Sequence, residues 1–79
     1  MAKRKPTVIT NVELLREAID ESGLSPTFLA AAWGMSMPTY YSRKAGESEF
    51  TASEIVAATA TLKLTQTQRN QIFLDKKVN

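Results

Sequence analysis

Apolar residues recur along this chain at helical spacing, in five short blocks separated by capping and turn residues. Over residues 12–22, Val12, Leu15 and Ile19, joined by Leu14 and Ala18, form one stripe, with Glu13, Arg16, Glu17, Asp20 and Glu21 away from it. Thr10 and Glu13 have the spacing of a capping box that opens this helix, and Gly23 closes it. A second block follows, with Ser25 as its cap and Pro26 at the first helical position, where a missing N–H costs nothing. Leu29, Ala32 and Trp33 give it a stripe at i, i+3, i+4, and Ala30 supplies a small residue for a close helix crossing. Gly34 breaks this helix, Met35 plugs the core, Ser36 caps a third helix and Gly46 is placed to end it. Residues 47–50 read as a short loop anchored by Phe50. Thr51 with Glu54, and Thr65 with Gln68, are two more capping boxes. The fourth helix turns Ile55, Val56, Thr59 and Leu62 inward, Leu64 packs in the next turn, and the fifth helix carries Ile72, Phe73 and Leu74.

No stretch has the period-2 alternation of a full strand; Val8-Ile9-Thr10 offers at most a brief edge strand in a dimer. The pattern therefore predicts an all-α bundle of five short helices over residues 10–75. A flexible basic arm, residues 1–9, precedes it and a fraying segment, residues 76–79, follows.

Composition narrows the function. Seventy-nine residues make one small domain with a modest core. Of the net charge of +2, Lys3, Arg4 and Lys5 supply three positive charges, so residues 6–79 carry a net −1. Without cysteine there is no disulfide framework or thiolate metal site, and without histidine the commonest general base and nitrogen ligand are missing. The remaining carboxylates lie largely along the first helix, alternating with Arg16 as on a solvated face, and no Gly-rich phosphate loop accompanies them. No catalytic activity, metal, cofactor or small-molecule ligand is expected. The basic N-terminus is not followed by an apolar run of signal or membrane-spanning length, so a soluble cytoplasmic protein is the expectation.

The candidate chemistry lies in residues 24–46, LSPTFLAAAWGMSMPTYYSRKAG, which read as two helices joined by a tight turn. This is the layout of a helix-turn-helix, whose second helix enters the DNA major groove. Between Ser22 and Gly46 there is no Asp or Glu, as a surface approaching phosphates requires. Ser36, Met37, Pro38, Thr39 and Ser42 open and line the second helix, where the Met37 side chain and the Thr39 methyl suit thymine methyls and the hydroxyls suit either donors or acceptors. Tyr40 falls on the core side. Tyr41, one step round, is exposed and suits a phosphate or a thymine methyl, while Arg43 and Lys44 have the reach for phosphates. Ser25 and Thr27 sit at a helix N-terminus, where N–H groups hold phosphate. Lys3, Arg4 and Lys5 form a basic arm suited to the backbone or minor groove.

The order and spacing of Leu24-Ser25, Leu29-Ala30, Gly34-Met35-Ser36, Tyr40 and Gly46 resemble the five-helix DNA-binding domain of lambda-repressor-like proteins, the Cro and Xre type of phage and bacterial regulator. Ser48-Glu49-Phe50, Glu54-Ile55, Leu64-Thr65 and Ile72-Phe73 extend the resemblance, which covers about residues 10–74. It implies a transcriptional regulator binding a double-stranded operator as a weak homodimer, with the recognition helix at about 37–45. Phe73 and Leu74 are the expected dimer contact. The chain departs from the family's usual pattern at Pro26, where Gln is common, and at Met37-Pro38, which replace residues able to make bidentate base contacts. Glu47 and Glu49 stand where a polar or basic phosphate contact is common. The alternative is a protein-interaction module on the same fold, binding a repressor, a toxin or a polymerase subunit with little DNA contact.

Overall fold

The computed structural model describes residues 7–77. Five helices follow one another: α1 (Val12–Ser22), α2 (Pro26–Ala32), α3 (Met37–Ala45), α4 (Ala52–Thr61) and α5 (Gln66–Phe73). Each has a polar cap whose side chain accepts from a backbone N–H that lacks a helical partner. Ser25, Ser36, Thr51 and Thr65 take this role as the sequence predicts, the last two in complete capping boxes. At α1 the cap moves by one residue. Asn11, not Thr10, accepts from the Leu14 N–H at 3.2 Å. Leu14 now stands where a capping box needs Glu or Gln, and the Asn11 N–H donates instead to the Ile72 carbonyl at 2.6 Å.

The five helices are as expected, and a short two-stranded ribbon is added to them. Strand β1 (Thr7–Ile9) pairs antiparallel with β2 (Asp75–Lys77), with Thr7 opposite Lys77, Val8 opposite Lys76 and Ile9 opposite Asp75. The flexible arm of residues 1–9 and the fraying of residues 76–79 are thereby corrected for Thr7–Ile9 and for Lys76 and Lys77. The strand that Val8-Ile9 suggested finds its partner in the same chain rather than in a dimer. Three-residue strands carry too little alternation to register in a local window, and this pairing joins opposite ends of the sequence. The Asn11–Ile72 hydrogen bond draws those ends together just inside the ribbon. Lys3, Arg4 and Lys5 lie outside the described residues.

One core joins all five helices: Leu15 and Ile19 of α1, Leu29 and Ala30 of α2, Trp33, Tyr40 of α3, Phe50, Ala58 of α4, and Ile72 and Phe73 of α5. Its aromatic rings run in series. The Trp33 ring centroid lies 5.7 Å from that of Tyr40 and 5.7 Å from that of Phe50, and Phe50 meets Phe73 edge-on at 4.8 Å. Such pairs contribute on the order of 1 kcal/mol each beyond the area they bury. Two inward assignments change. Ala32 is exposed, and Ala30 takes its place beside Leu29 and Trp33. Val56 is 69 % exposed; α4 turns Ile55, Ala58 and Leu62 inward, with Thr59 half-buried and its hydroxyl donating to the Ile55 carbonyl at 2.7 Å.

Gly46 closes α3 at φ +84, and a Cβ built there would stand 2.9 Å from Val12 Cγ2. Gly23 closes α1 at φ +70 with open space around it. Both Gly23→Ala and Gly46→Ala incur the left-handed penalty of roughly 1–2 kcal/mol, but only Gly46→Ala also displaces α1 from α3. Denaturant melts should show the larger loss at Gly46; equal losses would mean that α1 is free to yield there.

Candidate nucleic-acid interface

Helices α2 and α3 follow one another, with residues 33–36 between them. The turn is closed by the Met35 N–H, which donates to the Ala30 carbonyl at 3.0 Å, and Gly34 takes φ +71 to make this possible. Pro26 and Pro38 each sit in the first turn of their helices, where they remove no hydrogen bond.

Tyr40 fixes how α3 is turned. Its side chain has no exposed surface, packed against Trp33 on one side and Tyr41 on the other. Burial is the main reason its hydroxyl holds its proton above the ordinary value of 10.0, with the nearby Tyr41 and Asp20 adding to the effect. With Tyr40 inward, Pro38 and Tyr41 point outward with Ser36 and Ala45, and Tyr41 is 50 % exposed. Met37 and Thr39 are half-buried, and Met37 packs on the edge of the core. The Ser36 hydroxyl accepts from the Thr39 N–H at 3.3 Å and donates to the Thr39 hydroxyl at 3.0 Å. On α2 the Ser25 hydroxyl accepts from the Phe28 N–H at 3.1 Å, and Thr27 is exposed.

The end of α3 is tied to the protein. Arg43 Nε donates to Glu54 Oε1 at 2.8 Å, Nη2 to Glu54 Oε2 at 3.3 Å, and Nη1 to the Ser48 hydroxyl at 2.7 Å. The Ser42 hydroxyl meets that of Ser48 at 2.8 Å. Glu54 also accepts from the Thr51 N–H at 3.0 Å, so one carboxylate caps α4 and grips α3 together. Ser42 and Arg43, read from sequence as DNA-facing, are engaged in this network because the loop between α3 and α4 is short enough to bring Glu54 under the guanidinium. Lys44 Nζ lies 5.8 Å from the centroid of the Tyr40 ring, within cation–π range. Arg43 and Lys44 are the only Lys or Arg within residues 26–45.

Sequence reasoning missed Phe28, which is 52 % exposed on α2. It stands one step from Leu29, and with Ala31 and Ala32 it forms an exposed strip at i, i+3, i+4. Of the two expected dimer residues, Phe73 is buried against Phe50, while Leu74 is 42 % exposed. The core claims Phe73 because the loop carrying Phe50 closes over α5, which leaves Leu74 as the available side chain. Among the described residues, no group of His, Cys, Asp and Glu is placed to hold a metal ion. No helix among them is long and apolar enough to cross a membrane.

The Arg43 hydrogen bonds hold the Glu54 carboxyl below its ordinary value of 4.5, helped by the Thr51 N–H and opposed by partial burial. A carboxyl depressed in the folded state stabilises the protein fully above its unfolded value, and that stability is lost as pH falls through the folded value. Glu54→Gln should therefore be less stable than the parent at neutral pH, with the difference closing on acidification below about pH 4. Denaturant melts across that range check this, and a gap that persists in acid would show that the loop is held by something other than the ion pair.

Comparison of this chain with protein-family models, with curated proteins and with solved structures returned no match. Function is therefore read from the geometry of α2, α3 and the loop that follows them.

Proposed function

We propose that this chain is a sequence-specific DNA-binding transcriptional regulator of the Cro or repressor type, with α3 as its recognition helix. The observation that carries the reading is the outward face of α2 and α3. It is presented by a helix-turn-helix unit, contains no carboxylate between Ser22 and Gly46, and offers Pro38 and the exposed Tyr41 at its centre. Acid-free surface avoids repelling phosphates, and an exposed tyrosine beside hydroxyls serves both backbone and thymine methyl contacts. In this reading Tyr41, Met37, Pro38 and Thr39 meet base edges, Ser36, Ser25 and Thr27 meet phosphates, and Ser42 and Arg43 hold α3 at its angle through Ser48 and Glu54. One such unit reads only a few base pairs, so useful specificity calls for two copies on a pseudo-palindromic site, with Leu74 available at their contact. Occupying a promoter would exclude polymerase or a rival regulator.

A second reading, a protein-interaction module on this fold, draws on the exposed Phe28 strip of α2 and on the commitment of Arg43 to Glu54, which leaves few charges for phosphates.

Selection of bound duplexes from random DNA, run at two salt concentrations, separates the two. The regulator should enrich a pseudo-palindromic site and lose affinity steeply as salt rises, by about 0.9 log units per phosphate contact for each tenfold change. No enrichment, with affinity for random duplex that is negligible or indifferent to salt, would favour the interaction module.

A further inference from the structure

Arg43 is the one arginine within residues 26–45, and it is held by contacts that the fold sets up without it. Helix α4 fixes the Glu54 carboxylate. Its Oε1 accepts from the Thr51 N–H at 3.0 Å, while the Thr51 hydroxyl accepts from the Glu54 N–H at 3.3 Å. Arg43 Nε and Nη2 donate to the two oxygens of this carboxylate. Nη1 donates to the Ser48 hydroxyl, which also meets that of Ser42. All three guanidinium nitrogens are thus engaged. The Arg43 and Glu54 side chains are 17 % and 14 % exposed, so the pair is covered as well as bonded. Lys44, the other cation of residues 26–45, has no carboxylate partner among the described residues and lies against the Tyr40 ring.

We propose that Glu54 is a specificity-determining residue: by holding Arg43 it withholds a phosphate contact that would strengthen binding to duplexes of any sequence. This role rests on the DNA-binding reading. The ion pair is neutral as a unit. A phosphate brought to Arg43 also meets the charge of Glu54, and little is gained from released counterions. Phosphate contacts carry no sequence information, and discrimination is a difference between two affinities. Suppressing the sequence-independent share leaves affinity to the outward residues of α3, Pro38 and Tyr41 foremost. Geometry makes the effect unequal between duplexes. Arg43 faces the loop before α4, to one side of the surface that carries Tyr41. Once base contacts fix α3, a freed guanidinium on that side has no freedom to seek a phosphate. In a complex held by the backbone alone, the protein shifts along the duplex and finds one.

Glu54→Gln is the informative variant, because Gln also completes a capping box and keeps α4 capped while the charge goes. The full-length parent, E54Q, R43Q/E54Q and E49Q are titrated across a salt series, with a short random-sequence duplex and with the duplex that the parent enriches by selection. On random duplex the slope of log affinity against log salt should steepen by about 0.9 in E54Q, the value of one phosphate contact. On the selected duplex it should stay at the parent value, so preference for the selected site falls. R43Q/E54Q has the parent's net charge and should return to the parent's slope, which assigns the gained contact to Arg43. Glu49 is exposed in the same loop and has no ion-pair partner among the described residues. E49Q loses the same charge and should keep the parent's slope. An unchanged slope in E54Q, an equal rise in E49Q, or an equal rise on both duplexes overturns the proposal. So does a slope in R43Q/E54Q that falls below the parent's by about 0.9, which would mean that Arg43 already holds a phosphate in the parent. That last comparison does not depend on E54Q being folded at the assay temperature. Selection with the parent separates the two failures. Any of these contrary results beside an enriched site ends the role of Glu54 alone, whereas no enriched site ends the recognition-helix reading and the role of Glu54 together.

Discussion

The packing of Tyr40 against Trp33 is the contact on which the rest of this structure depends. Tyr40 is fully buried, and Trp33 links it to Phe50, which in turn meets Phe73. This line of rings passes from α3 through the turn after α2 and the loop before α4 to α5. It leaves α3 one orientation with its aromatic residue inside. A helix repeats every 3.6 residues, so setting Tyr40 inward sets its neighbours as well. Tyr41 and Pro38 face out, and Ser42 and Arg43 face the loop before α4. The character of the candidate interface is thus a consequence of a core contact. Among the described residues, neither the Trp33 Nε1 nor the Tyr40 hydroxyl has a hydrogen-bond partner, so these two rings are held by packing.

A second constraint concerns charge. Glu54 caps α4 and binds Arg43, which removes from the outer surface the cation best placed to reach a phosphate late in α3. Its partial exposure keeps the pair's contribution to stability modest. Its value is geometric, because the fork of the guanidinium joins α3, Ser48 and α4 at one point.

Local signals made most of the helical frame legible. Ser25, Ser36, Thr51 and Thr65 are capping residues by chemistry and by spacing, and they cap. Gly23 and Gly46 end helices because only glycine takes their positive φ cheaply. Tyr40 inside and Tyr41 outside followed from spacing to Ser36. What escaped was non-local. The β1–β2 pairing, the Asn11–Ile72 hydrogen bond that shifts the α1 cap, and the capture of Arg43 by Glu54 all join residues that no short window contains. Ala32 and Val56 were misplaced for a related reason. On short helices the buried arc is narrow, and a single neighbouring helix decides which edge residue it includes. The exposure of Phe28 had one faint sign, its step off the Leu29–Trp33 stripe.

Comparing Tyr40→Ala with Tyr41→Ala tests the central dependence most directly, with each variant measured for thermal stability and for affinity to a selected duplex. Burial of Tyr40 predicts a loss of roughly 3 kcal/mol or more in Tyr40→Ala. Tyr41→Ala should lose only about 1 kcal/mol of stability, from its edge contact with Tyr40, and on the order of 1–3 kcal/mol of binding. If Tyr41→Ala unfolds the domain while Tyr40→Ala leaves it intact, α3 is turned the other way and the interface described on its outer face does not exist.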